Sequence, residues 1–416
     1  MKKKILLAVL VVLILLGIGG AYAYFATDAF KTEKELFFTY LSDDAKDEKL
    51  LEYVKKQAET AYTNKGEVSI KVNGENNFAR TEDETVQMLN NSKITFEGKT
   101  DNSKKLAEQT MTMNFSQGFN IPVKIRRDGE TAGIQSNLLD SKFIAIRNEN
   151  LKSLFERFGA NSEEIPDKID FEKSKFTEEE IKTLKDRYFS ILNENLEEKL
   201  FSKEKVGNQI VITLNMSDKK CADILMKILQ TVRSDDIILN KISGMIDEQD
   251  FKDNIDDAID ELKDTEANDN NALSIKLYTE SKKIKKVEIT MIDTESNKTV
   301  GNVEILKEEN ENDLTYTIKV DAESEEDGKI SIDFKVEYKG VADLNNVEEN
   351  YEIRIKTTDT DDEDMDISLN YTNSKTFTTD IELEGINSSN ATIINDATDD
   401  EIDDLLTKIY ENLGLY

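Results

Sequence analysis

The sequence predicts an α+β fold: a large curled antiparallel β-sheet, in one or two halves, packed on amphipathic helices and preceded by one N-terminal transmembrane helix. Three observations predict it. Many short segments alternate apolar and polar residues with period two, the pattern of antiparallel strands with one wet face. Amphipathic helical stripes fall in the middle of the chain and at its C-terminus. An uninterrupted apolar run stands behind three lysines at the N-terminus.

That run extends from Ile5 to Ala26 and includes Leu6, Leu10, Leu13, Leu16 and Ile18. At ~1.5 Å per residue it reaches about 33 Å, enough to cross a hydrocarbon core of roughly 30 Å. Tyr22, Tyr24 and Phe25 sit near its outer end, where interfacial aromatics belong. Lys2, Lys3 and Lys4 favour a cytoplasmic N-terminus. The expectation is a single-pass protein of the cell membrane with its main domain extracytoplasmic. Ala21-Tyr22-Ala23 also has the small-x-small form of a cleavage site, so a removed signal peptide stays open. No cysteine follows the run, which argues against a lipoprotein anchor.

Residues 27–65 read as a helical lead-in. Leu36, Phe37, Tyr40, Leu41, Leu50, Leu51, Val54 and Ala58 recur at near-helical spacing, and Asn64-Lys65-Gly66 is expected to end the helix. Residues 66–216 hold a first strand group with inserted helices. Val68/Ile70/Val72, Ile94/Phe96, Met111/Met113/Phe115, Val123/Ile125 and Ile144/Ile146 alternate, and Asp128-Gly129 marks a tight turn. Leu151 to Phe158 forms a short helix closed by Gly159. Thr177 with Glu180 is a complete capping box before the next helix. Residues 217–416 carry helices, a meander and a C-terminal helix. Ser217 and Ser234 start helices, and Phe251, Ile255, Ile259 and Leu262 form a stripe. Alternation then continues from Leu273 through Met365/Ile367/Leu369/Tyr371 to Thr379/Ile381/Leu383. Thr398 and Glu401 box the last helix before Gly414. The two parts form either one continuous domain or two halves joined between Val206 and Ser217.

Composition excludes several functions. The chain has 54 basic and 86 acidic residues among 416, a net charge of −32. Such a surface repels nucleic acid and anionic lipid headgroups and attracts cations or basic partners. With no histidine, the chain lacks the commonest general base and the commonest zinc ligand. With no tryptophan, it lacks the best stacking platform for sugars and cations. The one cysteine, Cys221, shares a helical face with Leu225, Ile228 and Val232 and reads as a core residue. Asp359-Thr-Asp361-Asp362-Glu363-Asp364 begins like a calcium loop, but Asp364 stands where glycine is needed and Asn370 where glutamate is needed. Asp253, Asp256, Asp257, Asp260, Glu261 and Asp264 fall opposite an apolar stripe, as on a wet helix face. No catalytic, cofactor or metal site is assigned.

The stretch Lys142-Phe-Ile-Ala-Ile-Arg147-Asn-Glu-Asn150 with Leu151 to Gly159, the pair Arg187-Tyr188 and the run Val211 to Met245 resemble a family of N-terminally anchored extracytoplasmic proteins of clostridia and related Firmicutes. The resemblance implies a Gram-positive cell envelope and carries no activity with it. The expected curled sheet around helices is also similar to bacterial lipoprotein-carrier and lipid-binding periplasmic proteins. The function expected is non-enzymatic binding or scaffolding in the envelope. One alternative is an apolar ligand, a lipid or acylated precursor, on a concave sheet face lined by Met111, Met113, Phe115, Ile332 and Phe334. Another is docking of a basic envelope partner on the acidic surface. The last is a carboxylate-based hydrolase.

Overall fold

The structure is a computed structural model and describes residues 31–44, 48–73, 86, 87, 90, 92–114, 120–159, 166–169, 176–243, 247–264, 267–324, 328–358 and 365–414. The apolar run with its flanking lysines, Phe115 and the acidic turn 359–364 lie outside these residues. Among the described residues no helix is long and apolar enough to cross a membrane.

Period-two patterning becomes one sheet of sixteen strands. The first meander is β1 (Ala61–Asn73), β2 (Lys93–Asp101), β3 (Leu106–Asn114), β4 (Asn120–Asp128), β5 (Thr131–Ser136) and β6 (Asp140–Arg147). The second begins with β7 (Phe201–Val206) and β8 (Gln209–Ser217). It continues through β9 (Asn271–Glu280), β10 (Lys283–Ile292), β11 (Thr299–Glu309), β12 (Leu314–Ser324), β13 (Gly328–Lys339), β14 (Asn346–Thr358) and β15 (Met365–Thr378). β16 (Ala391–Ile393) follows. The spatial order is β16-β6-β5-β4-β3-β2-β1-β15-β14-β13-β12-β11-β10-β9-β8-β7. Each meander therefore runs outward from a central β1–β15 seam, paired from Ala61↔Thr378 to Asn73↔Asp366. Every pairing is antiparallel except β16 with β6.

Three expectations change, two of them in the strands and their lead-in and one at a helix cap. The lead-in helix is two helices, α1 (Glu33–Asp44) and α2 (Glu48–Glu59), and Tyr62 to Gly66 is strand rather than helix end. Ladder bonds on both sides, to β15 and β2, outweigh the local stop signal of Asn64-Lys65-Gly66. Thr379, Ile381 and Leu383 lie beyond the end of β15 and are not strand. There Glu384 O accepts from Arg126 and Ile386 N donates to Asp128, so the chain packs on β4 through side chains instead of a ladder.

Apart from α2, the described helices gather at the two ends of the sheet. After β6 comes α3 (Leu151–Arg157), closed by Gly159 at φ 72°. Near β7 lie α4 (Glu178–Asn195), α5 (Asp218–Ser234), α6 (Asp236–Ile242) and α7 (Glu248–Asp264), and α8 (Asp399–Asn412) ends the described chain. Both capping boxes form, Thr177 with Glu180 and Thr398 with Glu401, and Ser217 caps α5. Asp235, rather than Ser234, caps α6. The same buried carboxylate accepts from Tyr188 Oη at 3.1 Å and pairs with Arg187 at 2.5 Å. The Arg187-Tyr188 pair thus locks α4 to the start of α6.

The main core is built by Phe37, Phe38, Leu192, Phe201, Ile212, Leu214, Ile228, Ile275 and Leu277, joining α1, α4 and α5 to β7–β10. A second core holds Leu151, Leu154, Ile394, Ile402 and Leu405 at the β6 end. One short connection links these ends. Ile169 donates its N–H to Asn148 beside β6, and Phe176 precedes α4. Seven steps of chain span at most about 25 Å, and the helix from there to Leu192 adds about 24 Å. A flat sheet would separate β6 from β9 by roughly 58 Å. The sheet is therefore curled. Both ends of the connection lie on the apolar face, Ile169 lining one hollow with Ala132 and Ile146 and Leu192 sharing one core with Ile275 and Leu277. The curl accordingly closes toward that face.

Asp140 ties α8 to the sheet, accepting from Lys408 Nζ at 2.9 Å and from Lys142 N at 2.9 Å. Burial works to raise its carboxyl, but the Lys142 N–H, the Lys408 ammonium and the Ser141 hydroxyl outweigh it and hold the group below the usual carboxylate value. A carboxyl depressed in the folded state adds stability that is complete above its unfolded pKa of about 3.9. That contribution is lost as pH falls through the lower folded value. Asp140→Asn is expected to cost about 1–2 kcal/mol at pH 7 in urea denaturation, with the difference from wild type shrinking below about pH 4.

Candidate functional site

The ladder registers place one continuous apolar face across the sheet. One lateral row runs Ile121, Met113, Ile94, Val68, Tyr371, Tyr351 and Val336 on seven successive strands. The next runs Ile70, Leu369, Ile353, Phe334, Ile318, Ile305, Val287 and Leu277 and passes directly into the main core. The opposite face carries ion pairs such as Arg354–Asp366, Lys335–Glu337 and Lys93–Glu67. Period-two alternation alone sorts these two faces.

Among the described residues, the apolar face is covered at its ends and open between them. Helices bury it over β7–β10, and the described helices leave β1–β4 and β12–β15 largely bare. Tyr53 and Leu50 of α2 pack on Leu314, Tyr338, Val347 and Phe377 at one end of these strands. Val86 packs on Val72 and Ile367 at the other. Between them Ile94, Phe96, Met111, Met113, Ile332, Phe334 and Ile353 are only half-buried. Ile70 is 40% exposed, Ile125 43% and Ile330 37%, all on this face. A folded protein usually covers apolar surface of this extent unless something else does. Met111, Met113, Ile332 and Phe334, the residues expected on a concave face, do share it. A small hollow of about 320 Å³ continues the face over β4–β6, under Leu151 and Ile169.

Aromatic rings cross the open region. Phe96 stacks on Tyr371 at 5.5 Å between centroids, Tyr371 meets Tyr351 at 5.1 Å, and Tyr351 stacks on Phe334 at 6.4 Å. Gly66 makes this possible. A Cβ there would lie 2.5 Å from Phe96 Cζ and would strike the Thr372 carbonyl, so only glycine lets the Phe96 ring cross β1.

Toward α2 the same face turns polar. Glu349 Oε1 accepts from Tyr53 Oη at 2.6 Å and from Lys375 Nζ at 2.9 Å, and Oε2 accepts from Asn373 Nδ2 at 2.9 Å. Lys375 also donates to Tyr53 Oη at 2.9 Å and lies over the Tyr53 and Tyr62 rings. All four residues are at most 6% exposed. Burial, then the Glu349 carboxylate, push the Tyr53 hydroxyl far above the usual phenol value, so it stays a donor. Tyr371 is pushed up to about 12 by burial and the same carboxylate. In register beside this cluster stand Asn64 opposite Lys375, then Gly98, then Gln109. Asn64 Oδ1, Asn373 Oδ1 and Gln109 Nε2 are buried and meet no hydrogen-bond partner among the described residues.

The other sequence candidates are dispersed. Cys221 packs against the main core with its thiol pushed up to about 12 by burial and the Asp218 charge, which suits a structural residue. On α7, Asp256 is held by Arg233 at 2.6 and 2.7 Å, Asp260 pairs with Lys263, and Asp253 accepts from Gln249. Among the described residues no group of three acids gathers into a metal cage.

Sequence reading named part of the apolar face and missed the polar cluster. A signal was there: extending the alternation of Tyr371, Met111 and Tyr351 by one inward step lands on Asn373, Gln109 and Glu349. Three polar residues at inward positions, on strands that prove to be near neighbours, are not a chance feature of a wet face.

No family model and no curated protein matches the chain. Among solved structures, two mutants of the vaccine antigen Transferrin Binding Protein B from Haemophilus parasuis Hp5 align with it. The double mutant Tyr-167-Ala and Trp-176-Ala is 9% identical, with 77% of this chain and 76% of that one covered at a TM-score of 0.13. The Trp-176-Ala mutant is 8% identical, with 76% of each covered at a TM-score of 0.13. Likeness at that level carries no argument about ligand or partner.

Removing one member of the buried cluster should cost more than removing a hydrogen bond. Lys375→Met leaves Glu349 as a buried charge without its counter-ion and is expected to lose about 3–5 kcal/mol in urea denaturation. Tyr53→Phe should lose about 1–2 kcal/mol. The double change Lys375→Met, Glu349→Leu should recover most of the first loss. A double variant no more stable than Lys375→Met would refute this account.

Proposed function

We propose that this protein is a non-enzymatic binder of an acyl chain, held at the outer face of a cell membrane by its N-terminal apolar run. The observation that carries the reading is the open apolar face of β1–β4 and β12–β15. The seven-strand row from Ile121 to Val336 spans about 29 Å, room for an extended chain. Full burial of each CH₂ is worth about 0.8 kcal/mol. A sixteen-carbon chain half-buried on the face thus gains about 6 kcal/mol before the costs of association. A second copy of the chain is the less fitting cover, because two surfaces of net charge −32 repel. Placement outside the membrane rests on the lysines before the apolar run.

The test uses the full chain in phosphatidylcholine vesicles carrying a trace of diazirine-bearing methyl oleate, with labelled peptides mapped by mass spectrometry after irradiation. Label is expected on β1–β4 and β12–β15. The double change Ile70→Glu, Ile125→Glu alters exposed positions, so stability should shift by no more than about 1 kcal/mol. Label on the sheet should fall while label on residues 5–26 stays constant. Label confined to residues 5–26, or sheet label indifferent to the two charges, would sink the proposal.

A further inference from the structure

We infer that the polar end of the apolar face binds the uncharged, hydroxyl-bearing head of an amphiphile whose chain lies along that face. The inference rests on the acyl-binding reading and adds the chemistry of the head. Among the described residues, three buried polar atoms at this spot meet no partner: the oxygens of Asn64 and Asn373 and the nitrogen of Gln109. Asn373 itself is 3% exposed, and its amide nitrogen is already committed to Glu349. Its free oxygen therefore cannot be an inverted carboxamide unless the Glu349 bond is given up. The set offers two acceptors and one donor. Two hydroxyl groups, which together donate twice and also accept, satisfy such a set.

The surroundings select against charge. Lys375, in register with Asn64, is spent on Glu349 and Tyr53 and so is not free to meet a phosphate or carboxylate. The overall charge of −32 adds to that bias. The room comes from glycine. Across Gly98, the position between Asn64 and Gln109, the Gln109 carboxamide oxygen and the Glu108 carbonyl each lie 2.4 Å from where a Cβ would stand. Gln109 is half-buried and long, so it can swing off Gly98 and admit a head group to Asn64 and Asn373. The apolar rows start immediately beyond, at Met111, Phe96 and Tyr371. A polar notch at the mouth of an apolar floor is the complement of an amphiphile.

Hydroxyls reach such a site from acylglycerols or from sugar lipids, and the test separates them. The full chain in phosphatidylcholine vesicles is irradiated with four diazirine-bearing oleyl probes: the glycerol ester, the glucoside, the methyl ester and the free acid. At least one hydroxylated probe is expected to label the sheet about tenfold more than the methyl ester, because a site built to bind hydroxyls rejects an analogue that lacks them. Whichever of the two wins names the source. Gln109→Leu and Asn64→Leu should each bring that ratio near one. A wild-type ratio near one, a ratio that survives both changes, or a preference for the free acid would overturn the inference and leave the acyl-binding reading intact. Failure of all four probes to label the sheet would remove both.

Discussion

The β1–β15 ladder is the interaction on which the rest of the structure depends. It registers residues 61–73 against 378–366, so strands far apart in sequence become the centre of one sheet. Each meander by itself would end at this point in an open edge, with a row of unpaired N–H and C=O groups. Pairing the two edges removes both liabilities at once and sets a common register for sixteen strands. A one-residue slip at the seam would turn the apolar set of one meander to the polar side of the other. Gly66 lies in that seam, and the stacking of Phe96 on Tyr371 crosses it, so side chains and backbone agree on the same register.

From the seam the apolar face extends outward until helices meet it. The connection between β6 and β7 is too short for a flat sheet and draws the two ends toward each other on the apolar side. Helices then bury the flanks, and the centre remains an inward-facing floor. Tight burial at Leu277 and Ile212 beside half-exposure at Phe334 and Ile353 shows where cover stops along a single row of side chains. The polar cluster around Glu349 marks the opposite boundary. It is costly to bury, and it persists because every charge in it is paired and α2 seals it with Tyr53. Asn64, Asn373 and Gln109 beside it are the exceptions to that satisfaction among the described residues, and they stand on the same face of the sheet as the apolar rows.

By itself the sequence determined the α+β class, most strand segments of the two meanders, both capping boxes and the two faces of those strands. These depend on local chemistry: period-two alternation, a Thr-x-x-Glu cap, a glycine at positive φ after a helix. It also indicated that Met111, Met113, Ile332 and Phe334 share a face, since each lies on the apolar side of its own strand. Tertiary structure alone decided that β1 pairs with β15, that Asn64 to Gly66 is central strand, and that Asn64, Gln109, Glu349, Asn373 and Lys375 converge. No local rule contains those outcomes. They follow from long-range register, and register is fixed only when two apolar patterns hundreds of residues apart meet on the same side of one sheet.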